Sequence, residues 1–270
     1  MPFIIDVDPV ALMLLGFPIR WYGLILVLAI GIALWVAGRE GRRRGLDPQL
    51  VSDATIWVAG AALVGGRALY LIQNELDSLA QHPAHFLMIW MGGLSFYGGL
   101  IGALIALALF ARRRGMPVLV ALDVAAPAAA IGQALGHVGC LIGGDSFGIP
   151  TDLPWAIVYR NPNAMAPLNI PLHPTQAYEA ILLALLFAAL WLNRERLGRL
   201  GGGVVASAYL IGLAAIRFGL FFLRDEPDVF LGLKTAQLIG LGIALLAIAL
   251  FTVARHARDA TAPALEASRP

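Results

Sequence analysis

Apolar residues in this chain come in long runs, separated by short polar stretches in which arginine recurs. A helix needs about 20 mostly apolar residues to cross the hydrocarbon core of a bilayer. Seven runs meet or approach that length: residues 19–37, 52–72, 95–111, 117–142, 174–192, 203–223 and 233–254. The third run is short, and the fourth is long enough that a tilt or a break is expected in it. The pattern therefore predicts an all-α integral membrane protein with about seven transmembrane helices, organised as one polytopic membrane domain over 1–258.

Composition strengthens the reading. The 270 residues are 59% hydrophobic and 13% charged, and mean hydropathy is +0.79. Soluble domains carry about a quarter charged residues, so a water-soluble fold is excluded. The single cysteine, Cys140, rules out an internal disulfide framework and a cysteine-built structural metal site. The opening Met1-Pro2-Phe3-Ile4-Ile5-Asp6 has no basic run and no A-x-A site follows, so no removable signal peptide is expected.

Charge placement then predicts orientation. Arg39, Arg42, Arg43 and Arg44 follow the first run, Arg112, Arg113 and Arg114 the third, Arg194, Arg196 and Arg199 the fifth, and Arg255, Arg258 and Arg269 the seventh. The other side holds Arg160, Arg224 and Lys234, with Arg20 at its edge. Short basic loops stay in the cytoplasm, so the N-terminus is expected outside and the C-terminus inside. Residues 143–173 then form a small periplasmic head. The segment 73–93, with Trp90 and Met91, is expected in the outer interface, and 259–270 as a disordered cytoplasmic tail. No internal repeat is visible, which counts against the repeat-built transporters.

Several residues carry chemistry inside this frame. Arg67 and Arg217 fall within apolar runs, where an arginine costs roughly 3 kcal/mol on insertion scales. Each is either a paired or snorkelling cation, or a clamp for a lipid phosphate, which the planar guanidinium fork suits. Arg224 stands two helical turns beyond Arg217. The stretch His173-Pro174-Thr175-Gln176-Ala177-Tyr178-Glu179 starts a helix at a proline and places Glu179 inside it. Glu179 is either half of a structural Glu–Arg pair or part of a polar wall around a head group, with His173 available for proton transfer. Two glycine-rich stretches, 92–102 and 132–145, allow close helix approach. The second also holds His137, Cys140 and Asp145. His137 and Cys140, three apart, share a helix face, and Cys140 reads better as an inert buried thiol than as a nucleophile. Tyr22 and Tyr97 stand near the outer ends of their helices, where aromatic belts also occur.

Taken in order, these motifs resemble the prolipoprotein diacylglyceryl transferase family. The resemblance runs from Asp8-Pro9-Val10 and Arg20-Trp21-Tyr22-Gly23 through Gly65-Gly66-Arg67, Gly92-Gly93-Leu94-Ser95-Phe96-Tyr97-Gly98-Gly99 and Asp123-Val124-Ala125-Ala126-Pro127. It continues through the glycine-rich 136–148, His173 to Glu179, and Arg217. It implies an enzyme of the bacterial inner membrane, multi-pass, with its site facing the periplasm. The implied reaction moves diacylglyceryl from phosphatidylglycerol to the lipobox cysteine of a prolipoprotein, forming a thioether and releasing glycerol phosphate. Its partners are phosphatidylglycerol, prolipoprotein signal peptides and bilayer lipids. Nucleic acid, cofactor and metal are not among its requirements.

Carried over residue by residue, the resemblance implies Arg217, His173, His137 and Tyr97 as catalytic. It implies Tyr22, Arg67, Gly98, Gly99, Gly136, Gly139, Gly144, Asp145, Glu179 and Arg224 as substrate-binding, with Gly148 a further signature glycine. The chain departs from the family pattern at six positions. His137 stands for an arginine, Cys140 and Gly143 for asparagines, Asp145 for a glutamate and Tyr97 for a histidine, while Phe221 stands where glutamate is frequent. Because the usual histidine base is absent, His173 becomes the leading proton acceptor, with Tyr97 a hydrogen-bond donor. These departures keep open a related membrane transferase with another acceptor, or a non-catalytic lipid-binding or transport protein.

Overall fold

The structure is a computed structural model that describes residues 2–14, 16–76, 79, 82–88 and 93–267, with side chains described as far as Thr252. The described residues contain seven helices long and apolar enough to cross a membrane. They are α1 (Trp21–Arg43), α2 (Pro48–Asn74), α3 (Phe96–Arg113), α4 (Val118–Gly143), α5 (Thr175–Gly198), α6 (Val204–Leu220) and α7 (Thr235–Ala267). Each matches one of the expected runs. Large apolar side chains such as Val27, Ile56, Leu185, Leu192 and Leu245 lie exposed along the helices. With no water in hydrocarbon, that outward apolar surface is what a lipid-facing helix presents.

The helix ends follow from local chemistry. Asp47 caps α2 by accepting from the Gln49 backbone N–H, and Pro48 occupies the first turn. Basic residues Arg42 and Arg43 close α1, and Arg112 and Arg113 close α3, where the helix dipole favours cations. The fourth helix is not broken: α4 runs on through Pro127. The last helix continues past its apolar stretch to Ala267, over most of the segment expected as a tail. Trp90 and Met91 lie outside the described residues.

The chain divides into two compact units, Met1–Val36 with Ala125–Pro270, and Ala37–Val124. In the second unit α2 packs on α3 with almost no side chain between them. A Cβ at Gly98 or Gly102 would run into the carbonyl oxygens of Gly65 or Ala61, and one at Gly99 would stand 3.3 Å from the Ala62 carbonyl. The last turn of α1 carries a charged cluster in the same unit. Glu40, almost fully buried, accepts from Arg43 Nε at 2.8 Å and Arg44 Nε at 2.7 Å, and Arg44 Nη1 reaches the buried Asp123 at 3.3 Å.

The first unit contains elements that hydrophobic periodicity did not reveal. Strand β1 (Phe3–Ile5) pairs in parallel with β4 (Ile157–Tyr159), which pairs antiparallel with β5 (Pro171–Leu172). Ile157, Tyr159, Ala166 and Leu172 form the small core under this sheet. A hairpin of β2 (Val10–Leu14) and β3 (Phe17–Arg20) leads without a linker into α1. A second hairpin, β6 (Asp228–Phe230) with β7 (Leu233–Lys234), precedes α7. All are two to five residues long, too short for a period-2 signal to stand out.

Candidate functional site

The first turn of α5 organises the site. Thr175 Oγ1 donates to the Ser146 carbonyl at 2.8 Å and Gln176 Nε2 to the Asp145 carbonyl at 2.6 Å. The glycine-rich loop after α4 is thereby tied to the start of α5. Gly144, at φ +78°, adopts a conformation that favours glycine. Gly148 fills a crossing point: a Cβ there would lie 2.6 Å from the Leu223 carbonyl and 2.7 Å from the His173 Cβ.

One turn deeper, Glu179 is fully buried and three cationic or protonatable side chains converge on it. Arg224 Nη2 donates to Oε2 at 2.8 Å. Arg217 Nη2 lies 3.0 Å from Oε1, and His137 Nε2 lies 3.3 Å from the same oxygen. An isolated carboxylate could not stay ionised in this setting; the arginines make it possible. Two guanidinium groups thus face this one carboxylate. Phe221 stands between them, with its ring centroid 5.8 Å from Arg217 Cζ and 5.2 Å from Arg224 Cζ. Among the described residues, Arg224 Nε and His137 Nδ1 are buried with no hydrogen-bond partner.

The arginine-bearing segment is braced from α7. Gln237, fully buried, donates from Nε2 to the Phe218 carbonyl at 2.9 Å and accepts the Lys234 backbone N–H at 2.9 Å. Lys234 Nζ donates to the Arg224 carbonyl. Both ends of the stretch that carries Arg217 and Arg224 are thus tied to the start of one helix. Sequence reasoning placed Lys234 among the outer charges and passed over Gln237. A glutamine at the start of an apolar run is the signal that the sequence offers for it.

The other candidates distribute as follows. Tyr22 packs on Gly139, where a Cβ would be 3.0 Å from the ring. Nothing lies within 4 Å of a Cβ at Gly136. Cys140 is half-buried with its thiol beside Asp145. His173 precedes α5, its ring centroid 6.3 Å from that of Tyr178, which in turn accepts from Trp155 Nε1 at 2.7 Å. Burial pushes the His173 imidazole below its ordinary pKa. Tyr159, under the head sheet, has its phenol pushed up, by burial first and by the Asp145 charge second.

Arg67, Tyr97, Gly98 and Gly99 belong to the second unit. Arg67 directs Nη1 to the Gly93 carbonyl at 3.1 Å and Nη2 to the His85 carbonyl at 2.7 Å, and lies over the Tyr70 ring. Its fork is spent on pinning the short 3-10 turn Pro83–Leu87 and the approach to α3. Gly98 and Gly99 serve the α2–α3 contact described above. Tyr97 sits in the first turn of α3 in edge contact with Phe96.

The sequence profile of the prolipoprotein diacylglyceryl transferase family matches residues 9–253. Similar proteins include a phosphatidylglycerol–prolipoprotein diacylglyceryl transferase of Synechococcus elongatus, 34% identical over 89% of this chain and 82% of that protein. The protein of the same name from Methylococcus capsulatus is 35% identical over 94% of this chain and 98% of its own length. That of Methylibium petroleiphilum is 38% identical over 84% and 86%.

Proposed function

The chain belongs to the prolipoprotein diacylglyceryl transferase family, and from that premise we propose that it transfers diacylglyceryl from phosphatidylglycerol to the lipobox cysteine of prolipoproteins. The observation that carries the reading is the convergence of two buried guanidinium groups at one point: Arg217 and Arg224 both face Glu179. A phosphodiester anion docked there meets two cations, and arginine's fork matches its oxygens.

The chemistry follows from that placement. Displacement at the glyceryl carbon breaks its bond to the phosphate ester oxygen, and the departing phosphate gains negative charge. Fixed guanidinium groups in a site of low dielectric stabilise that developing charge more than the ground state. The acceptor sulfur forms the thioether, and glycerol phosphate leaves. The lipid donor reaches such a site from the bilayer. The arginine clusters after α1, α3, α5 and α7 orient the chain with its C-terminus in the cytoplasm. That orientation turns the head and the site toward the periplasmic face of the bacterial inner membrane.

The test is direct. Purified full-length protein is incubated with a lipobox peptide and phosphatidylglycerol, and the peptide mass is measured. A diacylglyceryl adduct on the cysteine is expected. No adduct, under conditions where a transferase from a relative works, would overturn the reading.

A further inference from the structure

We infer that His137, oriented by Glu179, is the base that takes the proton from the acceptor thiol. The inference rests on the transferase reading above and names a residue for its proton transfer.

The imidazole is nine-tenths buried. Its Nε2 faces Glu179 Oε1 at 3.3 Å, and its Nδ1 is buried with no hydrogen-bond partner among the described residues. A carboxylate at one ring nitrogen selects the tautomer with the proton there and leaves a lone pair on the other. In that tautomer Nδ1 is an acceptor without a donor, at the edge of the cationic cluster assigned to the donor phosphate. The same nucleophile–imidazole–carboxylate order activates serine and cysteine in unrelated enzymes. Here the thiol would come from the substrate.

The charged and titratable groups facing the imidazole bear on its proton. Glu179 from α5 faces the imidazole, and Arg217 from α6 and Arg224 beyond it face the same carboxylate. On its own helix, Cys140 stands three residues on and is occupied with Asp145. His173 lacks this arrangement: its ring meets Tyr178 and no carboxylate contact to it is present among the described residues.

The step balances without another reactant. The thiol proton moves to His137 Nδ1. The sulfur electron pair forms the S–C bond to the glyceryl carbon, and the C–O electron pair leaves on the phosphate. The imidazolium proton then passes to the departing phosphomonoester or to water.

The test uses full-length protein and two lipobox peptides, one with cysteine and one with selenocysteine, whose selenol is ionised at neutral pH and needs no base. His137→Gln is expected to lower kcat for the cysteine peptide by about 10²–10⁴-fold. It should leave KM for phosphatidylglycerol within about threefold, because uniform binding is not what it removes. The selenocysteine peptide should recover most of the loss. Equal slowing of both peptides, or a raised KM with unchanged kcat, would overturn the inference and place His137 with the phosphate. If His137→Gln does not fold, the wild-type pH–rate profile decides. Its acidic limb should be present with cysteine and absent with selenocysteine, and a limb common to both overturns the assignment. A wild type inactive on both peptides contradicts the transferase reading instead.

Discussion

Arg224 Nη2 and Glu179 Oε2 are joined by a 2.8 Å hydrogen bond between two side chains that are both almost fully buried. This pair closes one side of a carboxylate whose other oxygen faces Arg217 and His137, so a single acidic side chain holds three elements in register.

Removing that carboxylate is expected to be costly. Glu179→Ala removes the carboxylate that both buried guanidinium groups face, and breaking a buried pair costs about 3–5 kcal/mol. A melting curve in detergent should show a large fall. A midpoint within a degree or two of wild type would mean that water or lipid already neutralises the arginines.

Arg217→Ala removes one cation and leaves Glu179 paired with Arg224, so the fold should persist while transfer falls by roughly 10²–10³-fold or more. The peptide assay reads the rate and gel filtration the fold. Near-normal transfer by a folded variant would take Arg217 out of the site.

The brace from α7 makes a separate prediction. Gln237→Leu loses the bonds to the Phe218 carbonyl and the Lys234 N–H, each worth about 1 kcal/mol or more when a buried partner is left unsatisfied. Misplacement of Arg217, one residue before Phe218, should lower kcat/KM for phosphatidylglycerol by about tenfold or more. A variant that is less stable yet unchanged in kcat/KM would show that the brace serves folding alone.

Gly98→Val drives a side chain into the Gly65 backbone. Overpacking of this kind costs about 1–3 kcal/mol or more, and here the obstacle is main chain that cannot rotate away. Thermal unfolding should reveal it, whereas Gly136→Ala, with open space at its Cβ, should not shift the midpoint.

His173 supplies a pH dependence. Burial holds its imidazole below the ordinary value, so the unfolded chain binds the proton more readily than the fold. Its contribution to stability is therefore present above the ordinary histidine pKa and lost as pH falls through the depressed one. Between about pH 7 and about pH 5, His173→Gln should melt with a shallower decline than wild type. Identical declines would mean that other groups carry the acid sensitivity.

The sequence by itself determined the seven helices, because hydrocarbon admits only segments that satisfy their own backbone and show apolar side chains outward. That demand is written residue by residue into the apolar runs. It also marked Arg67, Arg217, Glu179 and His137 as anomalies, since ionisable groups in such runs are costly and few. Only the tertiary structure decided which anomalies meet. Glu179 gathers His137 from 42 positions earlier and Arg224 from 45 positions later, and no local periodicity encodes a contact that distant. The same holds for Arg67, which the sequence offers as a phosphate clamp and whose fork the fold spends on the Gly93 and His85 carbonyls. It holds too for Gln237, whose value lies in reaching Phe218 across a helix pair. Burial and partner choice are long-range properties, so the chain announces where charge must be reconciled, and the packing fixes with what.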